Sequence, residues 1–119
     1  EPVAAEPEQD RYADTREPGL NYLALGQLAD RQEAIRTIDF LIDAGVPAIA
    51  VEGTDRAGNT QFRLFTLFGV AGQGFRSNPD RIQHQQRVFE LGEQWVSENR
   101  GQLNFSSASQ VQWKKYNPG

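Results

Sequence analysis

Few side chains in this chain of 119 residues are suited to covalent or metal chemistry. There is no cysteine and a single histidine, His84. Without cysteine, disulfides, thiolate metal sites and thiol catalysis are excluded. His84 stands among Gln83, Gln85 and Gln86, with no second ligand at metal spacing, and reads as a surface or boundary histidine. One isolated imidazole makes a nucleophile–base pair hard to assemble. Glu90, Glu93 and Glu98 fall on a helix-like run and read as a solvated face, not as paired acid–base carboxylates. Gly69, Gly72 and Gly74 have the outline of a phosphate loop. They lack the Lys-Ser/Thr that would complete it, and their spacing is not the dinucleotide pattern. Arg76 and Arg81 nearby are candidates for gripping a carboxylate or phosphate. No catalytic residue, metal or cofactor is expected, and the chain does not read as an enzyme.

Binding chemistry is better represented, and it depends on the elements that carry it. Residues 21–28, Asn-Tyr-Leu-Ala-Leu-Gly-Gln-Leu, alternate as a strand does, with Leu23 and Leu25 on one face and Tyr22 and Ala24 on the other. Asp30 reads as an N-cap, with Glu33 completing a capping box. Ile35, Ile38, Leu41 and Ile42, with Ala34 beside them, follow at helical spacing until Gly45 and Pro47 stop the helix. Ala48–Glu52 and Gln61–Phe68 are β-prone runs joined by the turn-forming residues 54–59, which predicts an antiparallel hairpin. After a Gly-rich connection, Asn78 and Pro79 open a second helix to about Asn99. Its apolar positions are Ile82, Val88, Phe89, Trp95 and Val96, with Leu91 at the edge. Gly92 lies near that stripe and predicts a close approach to the sheet. Residues 102–119 are compatible with a last strand, a short helix, or both. A final strand gives an α+β fold of the split βαβ type, β-α-β-β-α-β, an antiparallel sheet with two helices on one face.

Charge divides the chain. The formal net charge is −4, yet residues 1–19 hold six acids against two bases while residues 20–119 hold ten of each. The first stretch, with Pro2, Pro7 and Pro18, reads as an acidic linker, or as a strap that docks through Tyr12. The domain runs from 20 to 119, with an aromatic extension from about 102. A balanced domain argues against nucleic acid as a partner. No apolar run is long enough to insert directly in a membrane, and no signal peptide is visible. With no methionine anywhere, the chain is expected to be part of a longer or processed protein.

Asn21–Leu28 followed by Asp30-Arg31-Gln32-Glu33-Ala34 resembles the opening of a SPOR (sporulation-related repeat) domain. The helix end Ala44-Gly45-Val46-Pro47-Ala48 and the strand Phe62-Arg63-Leu64-Phe65 are similar to the family as well, and the likeness spans roughly residues 20–100. The resemblance implies a module of the bacterial cell envelope or periplasm. Its implied ligand is peptidoglycan glycan stripped of peptides, bound on the exposed sheet face.

If Leu23, Leu25, Phe62, Leu64 and Phe68 face the helices, then Tyr22, Ala24, Arg63, Phe65 and Leu67 face away. Tyr22 and Phe65 would stack on sugar rings and Arg63 would donate to hydroxyls. With Ala24 these make the candidate ligand-binding face, and Gln27, Arg76 and Trp113 are secondary candidates. Tails covering the same face are the competing expectation, because open apolar patches are uncommon in monomers. A second functional reading is a protein–protein interaction or assembly module using the sheet face or an edge strand. Trp113-Lys114-Lys115-Tyr116 would stack on a ring or staple the C-terminus to the body. Asn104-Phe105-Ser106 matches a glycosylation sequon.

Overall fold

The computed structural model describes residues 12–118. Of the linker or strap expected over 1–19, residues 1–11 therefore lie outside the described residues. Six elements follow in the order β1 (Asn21–Leu28), α1 (Arg31–Asp43), β2 (Ala48–Thr54), β3 (Thr60–Thr66), α2 (Pro79–Asn99) and β4 (Gln112–Lys115). The strands form one antiparallel sheet in the order β2-β3-β1-β4. This is the α+β split βαβ arrangement, and the last element is a strand.

Local chemistry explains most boundaries. Asp30 caps α1 by accepting the Gln32 N–H at 2.9 Å. Glu33 does not complete a capping box. Its carboxylate forks to Arg36 and accepts the Gln102 N–H at 2.9 Å, tying α1 to the chain beyond α2. Asn78 caps α2 by accepting the Asp80 and Arg81 N–H groups, with Pro79 in the first turn. Asp55 builds the β2–β3 turn, accepting from Ala57 and Asn59, and Gly58 supplies the φ of 87° that closes it. β2 runs two residues further than its apolar pattern indicates. β3 ends at Thr66, short of Phe68.

The core is filled by Leu23, Leu25, Ile38, Leu41, Leu64, Val88, Leu91, Trp95 and Phe105. Both helical stripes are rotated from the sequence expectation. In α1 the buried positions are Glu33, Ala34, Thr37, Ile38 and Leu41, and Ile35 and Ile42 lie at the margin. Thr37 belongs inside because its hydroxyl donates to the Glu33 carbonyl at 2.8 Å. In α2 the buried set is Val88, Leu91, Gly92 and Trp95, whereas Ile82 and Val96 are exposed. Gly92 accommodates not the sheet but the Phe105 backbone: a Cβ there would lie 2.6 Å from the Phe105 carbonyl carbon and oxygen. Phe105, fully buried, fills the space that Gly92 leaves.

A β-bulge interrupts β1. Ala24 pairs with Phe65 but Gly26 pairs with Leu64, so one extra residue sits in β1. Gly26 adopts φ 134°, and a Cβ there would lie 2.8 Å from Leu103. The bulge shifts the alternation by one. Leu23 and Leu25 point to the helices, and beyond the bulge Gln27 joins Ala24 on the opposite face.

Candidate functional site

The sheet face turned away from the helices carries Ala24 and Gln27 of β1, Arg63 and Phe65 of β3, and Gln112 and Lys114 of β4. The pairings Ala24↔Phe65, Gln27↔Arg63, Ala24↔Gln112 and Tyr22↔Lys114 set them side by side. Gln110, just before β4, closes one end. Together they line an open groove of about 340 Å³. Three uncharged amides and two cations surround one half-exposed aromatic ring. The sequence-predicted residues Ala24, Arg63, Phe65 and Gln27 thus come together. Gln112, Lys114 and Gln110 join them, and sequence reasoning missed these because β4 itself was ambiguous.

Tyr22 is on this face but is not available as a platform. It is 3% exposed, packs edge-on to Tyr116 at 6.4 Å and accepts the Glu17 N–H at 2.7 Å. A side chain at Gly69 would collide with it, since a Cβ there would lie 2.9 Å from the Tyr22 hydroxyl. The cover is the segment 12–19. It begins against α1, where Tyr12 donates to Asp39 at 2.7 Å, and crosses the face to enter β1 through Gly19, whose N–H donates to the Tyr116 carbonyl. Midway, the Arg16 guanidinium lies 4.1 Å from the Tyr116 ring centroid and 4.9 Å from that of Phe65. Asp14 accepts from it at 3.0 and 2.9 Å, a forked pair, and also accepts the Arg16 N–H. The Arg16 side chain is only 10% exposed. This hydrogen bonding to Arg16 holds the Asp14 carboxyl below the usual carboxylate range, and the same pair raises Arg16 above the usual arginine value. A second hollow of about 250 Å³ adjoins this segment and shares Arg63, Phe65 and Lys114 with the open groove. The face therefore has an open half and a strapped half, divided at Phe65.

Two secondary candidates lie elsewhere. Trp113 pairs with Leu23 and so faces the helices. Its indole N–H donates to Gln85 at 2.8 Å, and its ring meets Phe75 edge-on at 5.4 Å. It fastens β4 to α2 instead of stacking on a ligand, because the register puts its even-numbered neighbours outward. Arg76 is exposed in the loop before α2, remote from the groove, and its carbonyl accepts from Arg81. Arg81 is likewise spent on that loop, stacking 4.9 Å from the Phe75 ring.

His84 is a boundary residue with more contacts than its sequence neighbours imply. Its Nε2 lies 2.8 Å from the Thr66 hydroxyl, and its ring stacks on Phe68 at 4.7 Å. Burial pushes its pKa down to about 4. The structure thus does bring a hydroxyl to an imidazole. Thr66 is fully buried, so no substrate reaches that hydroxyl, and the pair anchors α2 to the end of β3. Among the described residues, no three His, Cys, Asp or Glu side chains gather as a metal site, and no helix is long and apolar enough to cross a membrane.

Comparison with protein-family models, curated proteins and solved structures gave no match.

Proposed function

We propose that the chain is a non-catalytic binding module of the bacterial cell envelope that holds peptidoglycan glycan along the open half of its sheet face. One observation carries the reading: Gln27, Gln110 and Gln112 surround Phe65, with Arg63 and Lys114 beside them, in a groove open to solvent. An amide both donates and accepts, as a sugar hydroxyl does. An aromatic face suits the C–H side of a pyranose ring. Two cations suit the lactyl carboxylates that a glycan exposes once its peptides are removed. The resemblance of the β1, α1 and β3 segments to SPOR domains supports the same ligand class.

The test is co-sedimentation with denuded glycan strands and with intact peptidoglycan, followed by substitution. Arg63 is exposed, so Arg63→Ala should leave the melting temperature within a degree or two. Retention on denuded glycan should fall roughly tenfold, about 1.4 kcal/mol. Equal retention of variant and wild type would overturn the reading.

A further inference from the structure

Arg16 shows what the strapped half of the sheet face recognises. Its guanidinium lies over two rings, Tyr116 at 4.1 Å and Phe65 at 4.9 Å. Among the described residues, none that lines the slot is acidic, and Arg63, Lys114 and Lys115 border it. The negative partner, Asp14, arrives on the same segment as the arginine, two residues earlier. An arginine brought without its own acid would meet the cations Arg63 and Lys114 and, among the described lining residues, no counter-charge. An arginine that carries its acid enters as a neutral pair, and the stack on two rings then holds it. The backbone completes the fit, because Glu17 N–H reaches the Tyr22 hydroxyl and Gly19 N–H the Tyr116 carbonyl.

We infer that the Phe65–Tyr116 slot is a recognition site for an extended peptide bearing Asp-x-Arg, filled here in cis by residues 12–19. The partner it fits in trans is another protein segment of the same chemistry, neutral as a pair and extended on both sides of the arginine. This inference does not rest on the glycan reading. The two sites adjoin at Phe65, and each stands or falls on its own ligand.

The experiment titrates the full chain, followed by amide NMR, with the synthetic peptide Tyr-Ala-Asp-Thr-Arg-Glu-Pro-Gly-Leu. In the Arg16→Ala chain the guanidinium is gone from the two rings, while Glu17 and Gly19 keep their backbone contacts. The peptide should then cause saturable shifts at Phe65, Lys114 and Tyr116. The wild-type chain, whose own Arg16 competes, should respond at least tenfold more weakly. A control peptide with alanine in place of its arginine should also bind at least tenfold more weakly, and so should one with asparagine for its aspartate. No saturable shift in the variant, equal response of variant and wild type, or equal response to the arginine and alanine peptides would each overturn the inference. Should Arg16→Ala lose its fold, Arg16→Lys keeps a cation but not the planar stack, and the same series applies to it.

Discussion

Single residues explain why the site has the shape it has. Gly92 exists to admit the Phe105 backbone. Gly92→Ala gains helix propensity of ~1 kcal/mol, but its methyl would press on a carbonyl 2.6 Å away. The expected outcome is a net loss of about 1–3 kcal/mol, read as a lower midpoint in urea; a rise in midpoint would contradict the close approach. His84 carries the pH response. Its folded pKa of about 4 lies below the ordinary 6.5, so the unfolded chain takes up the proton first. Stability is full above about pH 6.5 and falls as the pH drops toward 4. Its ring contacts, Thr66, Phe68 and Trp113, are uncharged and supply no counter-charge for the imidazolium. With the ring partly exposed, the loss is about 1–2 kcal/mol. Thermal melts from pH 7 to 4 should show it, and His84→Gln should flatten that slope. An equally steep slope in the variant would place the acid sensitivity elsewhere.

Elements reveal where sequence reading succeeds and where it stops. Both helices, the hairpin and their caps are legible because Asp30, Asn78, Pro79, Gly45 and the 55–59 turn act on their own neighbours. The faces of the helices are less legible. Ile35, Ile82 and Val96 look like core, yet the loop bearing Leu103 and Phe105 packs where it does and turns Thr37 and Gly92 inward instead. No local signal announces that loop. The open sheet face is foreseen in Ala24, Arg63 and Phe65. Gln27 reaches the same face only through the bulge at Gly26, and Gln112 and Lys114 only through the pairing of β4 with β1. A tail over Tyr22 is foreseen as the competing expectation, but not that Arg16 and Glu17, instead of Tyr12 or Trp113, form it. Trp113 is the element-scale test. It fastens β4 to Gln85 of α2 and to Phe75 of the loop before it, so Trp113→Ala should lower the melting temperature by several degrees. An unchanged melt would mean that β4 is held by its strand pairing alone.

At the scale of the whole molecule, the acidity of residues 1–19 beside a balanced domain matters less than local pairing. The acids of residues 1–19 give the chain its net charge, but Asp14 spends its charge on Arg16 and not on the ligand groove. Glycan binding through amides, a ring and two cations that meet lactyl carboxylates should show the salt dependence of about two ion contacts. Between 50 and 300 mM salt, retention on denuded glycan should fall by roughly tenfold. Unchanged retention over that range would show that Arg63 and Lys114 do not meet its carboxylates.

The sheet order has a further consequence during synthesis. β1 lies between β3 and β4, and Asn21 pairs with Lys115. On a ribosome, the first strand of this domain is thus also the one that waits longest for its second neighbour. Until β4 emerges, one side of β1 presents unpaired amides beside Leu23 and Leu25, a template for another nascent chain. Residues 12–19 cannot take that place, because the strap lies on the face of the sheet and its own anchor, Tyr116, follows β4.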